Sequence, residues 1–292
     1  MNTRDLEYFM AVAERQNFSA AATQFHVSQP TITLAIKRLE TEFGDTLIQR
    51  DRTHAQAHLT PAGEILQRRA TLILQNLKLS QQEIIQTKAT TIRFGLPPII
   101  GTVYFPKLAG KLMADGILSR IRTREAGSDQ LLKELQNGDI DIALLGSIQP
   151  LPNDRLHTQL LAERPFHVIV GNEHPLAHRE QVSFRELADE RFVTLNDNFI
   201  HPAALTAFSK AAGFTPNVIY KSPDINLIKG LVAENLGISI LVSDAIKTGD
   251  EVASLTIEDA LTERFNISLA YRQGFVPNEM QRQFIDDLKM IK

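Results

Sequence analysis

The sequence predicts an α/β protein headed by a winged helix-turn-helix and a long connecting helix. Three features carry that prediction: short helical periodicities up to residue 60, one uninterrupted amphipathic stretch over 61–88, and strands alternating with helices over 89–292. At 292 residues the chain has room for two domains.

Leu6, Phe9, Met10 and Ala13 recur at three- and four-residue spacing and make an amphipathic first helix. Ser19 is expected to cap a second, built on Ala20-Ala21-Ala22 and ending near Phe25. Ser28 caps a third, with Pro30 in its first turn, where a missing N–H costs little. That helix runs to Phe43 and stops at Gly44, a natural left-handed end residue. Residues 47–59 lose the helical period and carry polar Arg50, Asp51, Arg52, Thr53 and His54, which suits a β-wing. Thr60-Pro61 then starts a helix expected to reach Lys88. Its apolar residues repeat at seven (Ile65, Leu72, Leu79; Leu66, Ile73), a pattern suited to pairing with a second copy.

Beyond Lys88 the expected strands are IRFGL, ILSRI, DIALL, FHVIV, FVTL, VIY, ISIL and ISLAY. Helices over 101–115, 129–136, 201–212, 225–234 and 278–291 separate them, which implies parallel sheets. In such sheets ligands bind where strand ends lead into helices.

Composition narrows the chemistry. The chain is 43% hydrophobic, 22% charged and 7% aromatic, an ordinary globular balance. With no cysteine, it cannot hold a disulfide, a thiolate metal site or a cysteine nucleophile. The start MNTRDLEYF has no apolar stretch before a cleavage site, and no apolar run approaches the roughly 18 residues of a membrane helix. Cytoplasmic location without membrane association is expected. The first 88 residues carry 10 basic and 9 acidic side chains against 21 and 25 in the rest. So small an excess does not by itself mark a nucleic-acid surface; the local pattern must.

That pattern is FSAAATQFHVSQPTITLAIK at 18–37, two helices with small Ala21 and Ala22 at their crossing. On the second helix Ile32, Ala35, Ile36, Leu39 and Phe43 form the expected buried stripe. The opposite face carries Pro30, Leu34, Lys37 and Thr41, flanked by Thr31, Thr33 and Arg38. Gln29, Thr31 and Thr33 can hydrogen-bond base edges or phosphates, Leu34 can touch thymine methyls, and Lys37 and Arg38 can hold phosphates.

The stretch LEYFMAVAERQNFSAAATQFHVSQPTITLAIKRLE, followed by FGDTLIQR and LTPAG, strongly resembles the N-terminal domain of LysR-type transcriptional regulators. GDIDIALL at 138–145, EHPLA at 173–177 and LVAENLGISIL at 231–241 are similar to the family's effector domain. The resemblance implies a two-lobed fold like periplasmic binding proteins, with lobe 1 over about 89–160 and 266–292 and lobe 2 over about 161–265. It implies a homodimer or homotetramer on an interrupted palindrome of double-stranded DNA, with RNA polymerase a further partner. The DNA-binding set becomes Ser19, Ser28, Gln29, Pro30, Thr31, Thr33, Leu34, Lys37, Arg38, Arg50 and Arg52. A small-molecule effector, a carboxylate by the chemistry of the cleft loops, would meet Ile99, Thr102, Ser128, Gly146 and Ser147 from one lobe. Asn196, Phe199, His201, Ser222 and Asp224 would meet it from the other.

The chain departs from the family's habits at His26, where glycine is frequent, at Leu34, where arginine is, and at Pro97-Pro98-Ile99-Ile100, where hydroxyl residues are. QPTITLAIKRLE is similar to the malolactic-fermentation regulators within the family, which makes malate or a related organic acid the expected effector.

Other classes find little support. His174 with His178, and His54 with His58, are spaced four apart, but Pro175 breaks the first pair and the second falls in the wing. No metal and no cofactor are expected. Asp139 and Asp141 read as turn and cap residues, and the elbow, dinucleotide and phosphate-loop motifs of enzymes do not occur. The remaining alternatives are a small-molecule binding protein whose N-terminal helices only assemble it, and an enzyme on the α/β body. Both would lack salt-sensitive, sequence-specific DNA affinity.

Overall fold

The computed structural model describes residues 2–51, 56–151 and 155–291, which form two compact units, Met1–Ile85 and Gln86–Lys292. In the first unit α1 (Thr3–Arg15), α2 (Phe18–Gln24) and α3 (Gln29–Phe43) precede a wing of β1 (Ile48–Asp51) and β2 (Gln56–Leu59), and α4 (Pro61–Gln86) follows. Leu6, Phe9, Val12, Ile32, Ala35, Ile36 and Leu39 are buried where α1 and α3 cross. Each large side chain among them stabilises the unit by about 1.5–3 kcal/mol. Phe43, expected in that stripe, is half exposed, because α3 outruns the helices it packs on.

The cap of α2 is Asn17, whose Oδ1 accepts from Ala20 N at 2.9 Å; Ser19 lies two residues too late, inside the first turn, and is exposed. His26 takes the left-handed conformation (φ 54°) that the turn requires, closing it with bonds from His26 N to Thr23 O and Val27 N to Ala22 O. Ser28 and Gly44 cap α3 as the sequence indicates. Gly63 is obligatory where α4 starts across the wing: a Cβ there would lie 2.1 Å from the Leu47 carbonyl oxygen. Thr60 caps that helix, its Oγ1 accepting from Gly63 N at 3.0 Å.

The second unit holds three sheets shared between two lobes. The first lobe contains β3 (Ile92–Leu96), α5 (Pro98–Val103), α6 (Phe105–Ala114), β4 (Ile121–Glu125), α7 (Ser128–Asn137), β5 (Ile142–Ser147) and β6 (Leu156–Arg164). The second has β7 (Phe166–Gly171), β8 (Gln181–Val182), β9 (Arg191–Leu195), α8 (His201–Ala212), β10 (Asn217–Ser222), α9 (Ile225–Ala233), β11 (Ser239–Val242) and β12 (Val252–Ile257). The chain then returns to the first lobe as β13 (Phe265–Arg272) and α10 (Glu279–Leu288). The five-stranded order is β4-β3-β5-β13-β6, with β3 parallel to both β4 and β5 and β13 antiparallel to its neighbours. The other lobe pairs β11-β7-β12-β8, and β9 with β10.

Three expectations need correction. The helix placed at 101–115 is two helices, split at Tyr104, because Pro106 has no N–H to continue the ladder; the expected loop over 98–102 is α5. ILSRI is mostly a 3-10 turn at Leu118–Arg120, and the strand begins only at Ile121. The first lobe crossing falls at Pro165 rather than near 160, since β6 runs on to Arg164.

Candidate functional site

Two sites take shape, one in each unit. In the first, Leu34 is 57% exposed midway along α3, in line with exposed Pro30, Lys37 and Thr41. Beside them the Thr33 hydroxyl joins helix to wing: it accepts from Arg50 Nη2 at 2.9 Å and from Gln29 Nε2 at 3.2 Å. The Arg50 guanidinium also stacks 3.8 Å from the centre of the Phe18 ring. Phe18 was not among the sequence candidates, although an aromatic at the first position of α2 was the available signal. The Ser28 and Thr31 hydroxyls share a 2.8 Å bond at the start of α3. The face therefore offers amide, hydroxyl, methyl-binding and cationic groups already held in place.

Arg38 departs from its expected role. Its guanidinium pairs with both carboxylate oxygens of buried Asp5 and so clamps α3 to α1. That hydrogen bonding holds Asp5 below its ordinary carboxylate range. Ser19 is exposed on α2, and Arg52 lies outside the described residues.

In the second unit a cavity of about 580 Å³ opens between the lobes, where α7, the end of β5 and the start of α8 converge. Ser128, Gly146, Ser147 and Phe199 line it, together with Leu132, Ile148, Leu151 and Ala203, which the sequence reading missed. Helical spacing was the overlooked signal, because Leu132 falls one turn after Asp129, and Thr206 one turn after Ala203 and Pro202. Ser128 Oγ accepts from Gly146 N at 2.8 Å, and Ser147 Oγ has no partner among the described residues. At the edge of the cavity Gly127 meets the backbone of Asn198; a Cβ there would stand 1.7 Å from the Asn198 carbonyl oxygen.

The other effector candidates are set back from this cavity. Ile99 is buried, and exposed Thr102 donates its hydroxyl to the Ile99 carbonyl within α5. Asn196 and Ser222 shape the loop before α8: Asn196 N bonds Ser222 O at 3.0 Å, and Asn196 Oδ1 accepts from Asn198 N. Asp224 caps α9. His201 is fully buried edge-on to Phe166 and tilted against Phe265, with neither ring nitrogen hydrogen-bonded among the described residues. Burial pushes its pKa down to about 3, so the ring is neutral.

The remaining polar candidates are structural. Asp141 is buried against Arg93, with Arg272 3.6 Å away. His174 faces Glu190 at 3.5 Å. Among the described residues no group of three or more His, Asp or Glu could hold a metal ion, and no helix is long and apolar enough to cross a membrane.

Two family models match in the order of the two units. Residues 3–64 match the bacterial regulatory helix-turn-helix of the lysR family, and residues 86–290 match the LysR substrate binding domain. The chain belongs to the LysR family of transcriptional regulators. It is 32% identical over 295 residues to the malolactic fermentation system transcriptional activator of Lactococcus lactis, covering 100% of this chain and 99% of the relative. The DNA-binding transcriptional dual regulator OxyR of Escherichia coli is 29% identical over 280 residues, covering 94% and 90%. The crystal structure of HinK, a LysR family regulator of Pseudomonas aeruginosa, superposes with a TM-score of 0.58 at 25% identity, covering 99% and 97%. As a LysR-type regulator the protein binds DNA, with its helix-turn-helix domain in the first unit, and carries a two-lobed effector-binding domain.

Proposed function

We propose that this regulator is a cytoplasmic, non-enzymatic homo-oligomer that reads an interrupted palindrome with paired α3 helices and responds to a small organic acid, without a cofactor. The observation that carries the reading is the exposed face of α3, where Leu34, Lys37 and the Arg50–Thr33–Gln29 network present base- and phosphate-binding groups together. Gln29, Thr31, Thr33 and Leu34 are assigned to base edges; Ser28, Lys37 and Arg50 are assigned to phosphates. Assembly as a dimer or tetramer is assigned to α4, where Ile65, Ile73, Leu77 and Ile85 are exposed.

The effector is assigned to the inter-lobe cavity, with Ser128 and Ser147 as polar contacts and Phe199 as an apolar wall. Ligand would favour one arrangement of the lobes and, through the oligomer, one geometry of bound DNA and of its contact with RNA polymerase. A coupling of about 1–3 kcal/mol is typical of such linkage. Cysteine oxidation is not available as the trigger, since the chain has no cysteine.

The test is to recover and sequence genomic fragments retained by the purified protein at several salt concentrations. Enrichment of promoters sharing a dyad-symmetric site, lost steeply as salt rises, supports the reading. Uniform retention without a shared site rejects it.

A further inference from the structure

We infer that the inter-lobe cavity takes an effector with an apolar body and a single hydrogen-bond-accepting head, and turns away dicarboxylates such as malate. The inference rests on the assignment of this cavity as the effector site and narrows the ligand that fits it. Three observations support it.

First, the wall is mainly apolar: Leu132, Leu145, Ile148, Leu151, Ile200 and Ala203 all face the cavity. A volume of about 580 Å³ lies within the range of pockets that enclose a sizeable organic ligand. A four-carbon diacid would leave most of this wall in contact with water.

Second, two of the uncharged polar lining groups, Ser128 and Ser147, can each donate a hydroxyl proton. Ser128 Oγ already accepts from Gly146 N, so its proton is directed elsewhere, and Ser147 Oγ has no partner among the described residues. Gln130 N and Leu131 N bond the Gly127 carbonyl, which leaves the N–H groups of Ser128 and Asp129 at the start of α7 without an acceptor within their own helix. These donors suit one carboxylate or one carbonyl.

Third, the charges oppose a second anionic group. Asp129 and Asp197 border the cavity, and no Lys, Arg or His is among its described lining residues. Lys221 approaches only from outside the lining and is paired with Asp197 at 2.7 Å. A second carboxylate would therefore be desolvated against apolar wall or brought toward Asp129, with no cation in the described lining to offset either cost.

Thermal unfolding of the full-length protein with hexanoate, hexanamide and malate tests the inference, alongside the cavity-filling variants Ala203→Trp and Thr206→Phe. Both positions are exposed on α8, so the new side chains project into the cavity rather than the core. Hexanoate or hexanamide is expected to raise Tm by about 2–4 °C near ten times its Kd, with malate silent. Both fillings should abolish the rise without lowering the ligand-free Tm. Ser147→Ala should weaken binding about 3- to 10-fold, the loss of one hydrogen bond. A rise with malate that the fillings abolish would keep the cavity and overturn the ligand class. A rise with any probe that survives both fillings would overturn the cavity assignment itself. Silence of hexanoate and hexanamide to their solubility limits would overturn the ligand class.

Discussion

The Tyr104 hydroxyl of the first lobe donates a 2.6 Å hydrogen bond to Asp244 of the second. Asp244 also accepts from Arg164 Nε at 2.8 Å, one residue before the chain crosses at Pro165, and from Ser243 Oγ. The latch thus sits at the crossing, where any change in lobe arrangement must strain it. A hydrogen bond to a charged acceptor contributes about 1.5–3 kcal/mol. That is the same size as the coupling energies usual for allosteric regulators.

Removing the Tyr104 hydroxyl as Tyr104→Phe should therefore lower stability by about 1.5–3 kcal/mol in denaturant melts. Asp244→Asn adds a pH signature. Burial works to raise the Asp244 pKa, but hydrogen bonds from Tyr104 and Arg164 outweigh it and leave it below the ordinary 3.8. A lowered carboxylate pKa gives stability that is complete above the unfolded value and fades as pH falls through the folded one. The gap between the native protein and Asp244→Asn should be constant above pH ~5 and close below pH ~4. A gap that persists at low pH would show that the carboxylate charge does not hold the latch.

His201 loses stability in the same direction, but in a window closer to neutral pH. Its pKa is about 3 folded and 6.5 as the ordinary value, so below pH 6.5 the unfolded chain binds a proton that the folded chain refuses. Stability should fall by about 1.4 kcal/mol per pH unit there, or about 2 kcal/mol between pH 6.5 and 5. His201→Phe keeps the aromatic packing on Phe166 and Phe265 and should remove that slope. Chemical denaturation at pH 7 and pH 5 compares the two, and equal slopes would place the acid sensitivity elsewhere.

On the DNA side, Thr33→Ala or Arg50→Ala should weaken operator binding by about 5- to 150-fold, as each breaks the network joining α3 to the wing. Leu34→Arg should change the preferred base beneath it, since an exposed apolar side chain is replaced by a guanine-reading one. Lys37→Ala should lower affinity across sequences and reduce the salt slope by about one. Binding-site selection at two salt concentrations separates these effects, and an unchanged consensus in Leu34→Arg would remove that residue from base contact.

Much of this was legible in the sequence because it depends on local spacing. The Ser28 cap, the Gly44 stop and the Ile32–Leu39 stripe all follow from residues within one or two turns of each other. The Asp5–Arg38 clamp was not, since it joins residues 33 apart and only the helix crossing brings them together. The cavity failed in a similar way. Family analogy placed Ile99, Thr102, Ser222 and Asp224 on it, whereas its walls come from the outward faces of α7 and α8, whose approach is set by the lobe crossing. Strands β6, β8 and β12 escaped because they are short or lie largely exposed, without a run of apolar residues.

The connecting helix needs a variant chosen from the structure rather than from the heptads alone. Leu66 is buried in its own unit, so charging it would unfold that unit, but Ile73 and Leu77 are 44% and 38% exposed. Ile73→Glu with Leu77→Glu should convert the oligomer to monomer in sedimentation while leaving helical content unchanged. A folded variant that still assembles would move the interface off α4.

Gly127 offers the sharpest test of lobe closure, because its missing side chain is what lets the two backbones meet. In Gly127→Ala the new methyl would sit 1.7 Å from the Asn198 carbonyl oxygen, so the lobes must separate at the edge of the cavity. The three heavy atoms nearest that methyl all belong to Asn198, and DNA contacts are assigned to the other unit. The variant should bind effector at least about tenfold more weakly, a loss of about 1.4 kcal/mol. Operator affinity without effector should remain, and the shift in DNA binding on adding effector should be blunted. Calorimetry for effector and fluorescence anisotropy for operator read the two separately. Native effector affinity in Gly127→Ala would mean that closure at this contact plays no part in binding.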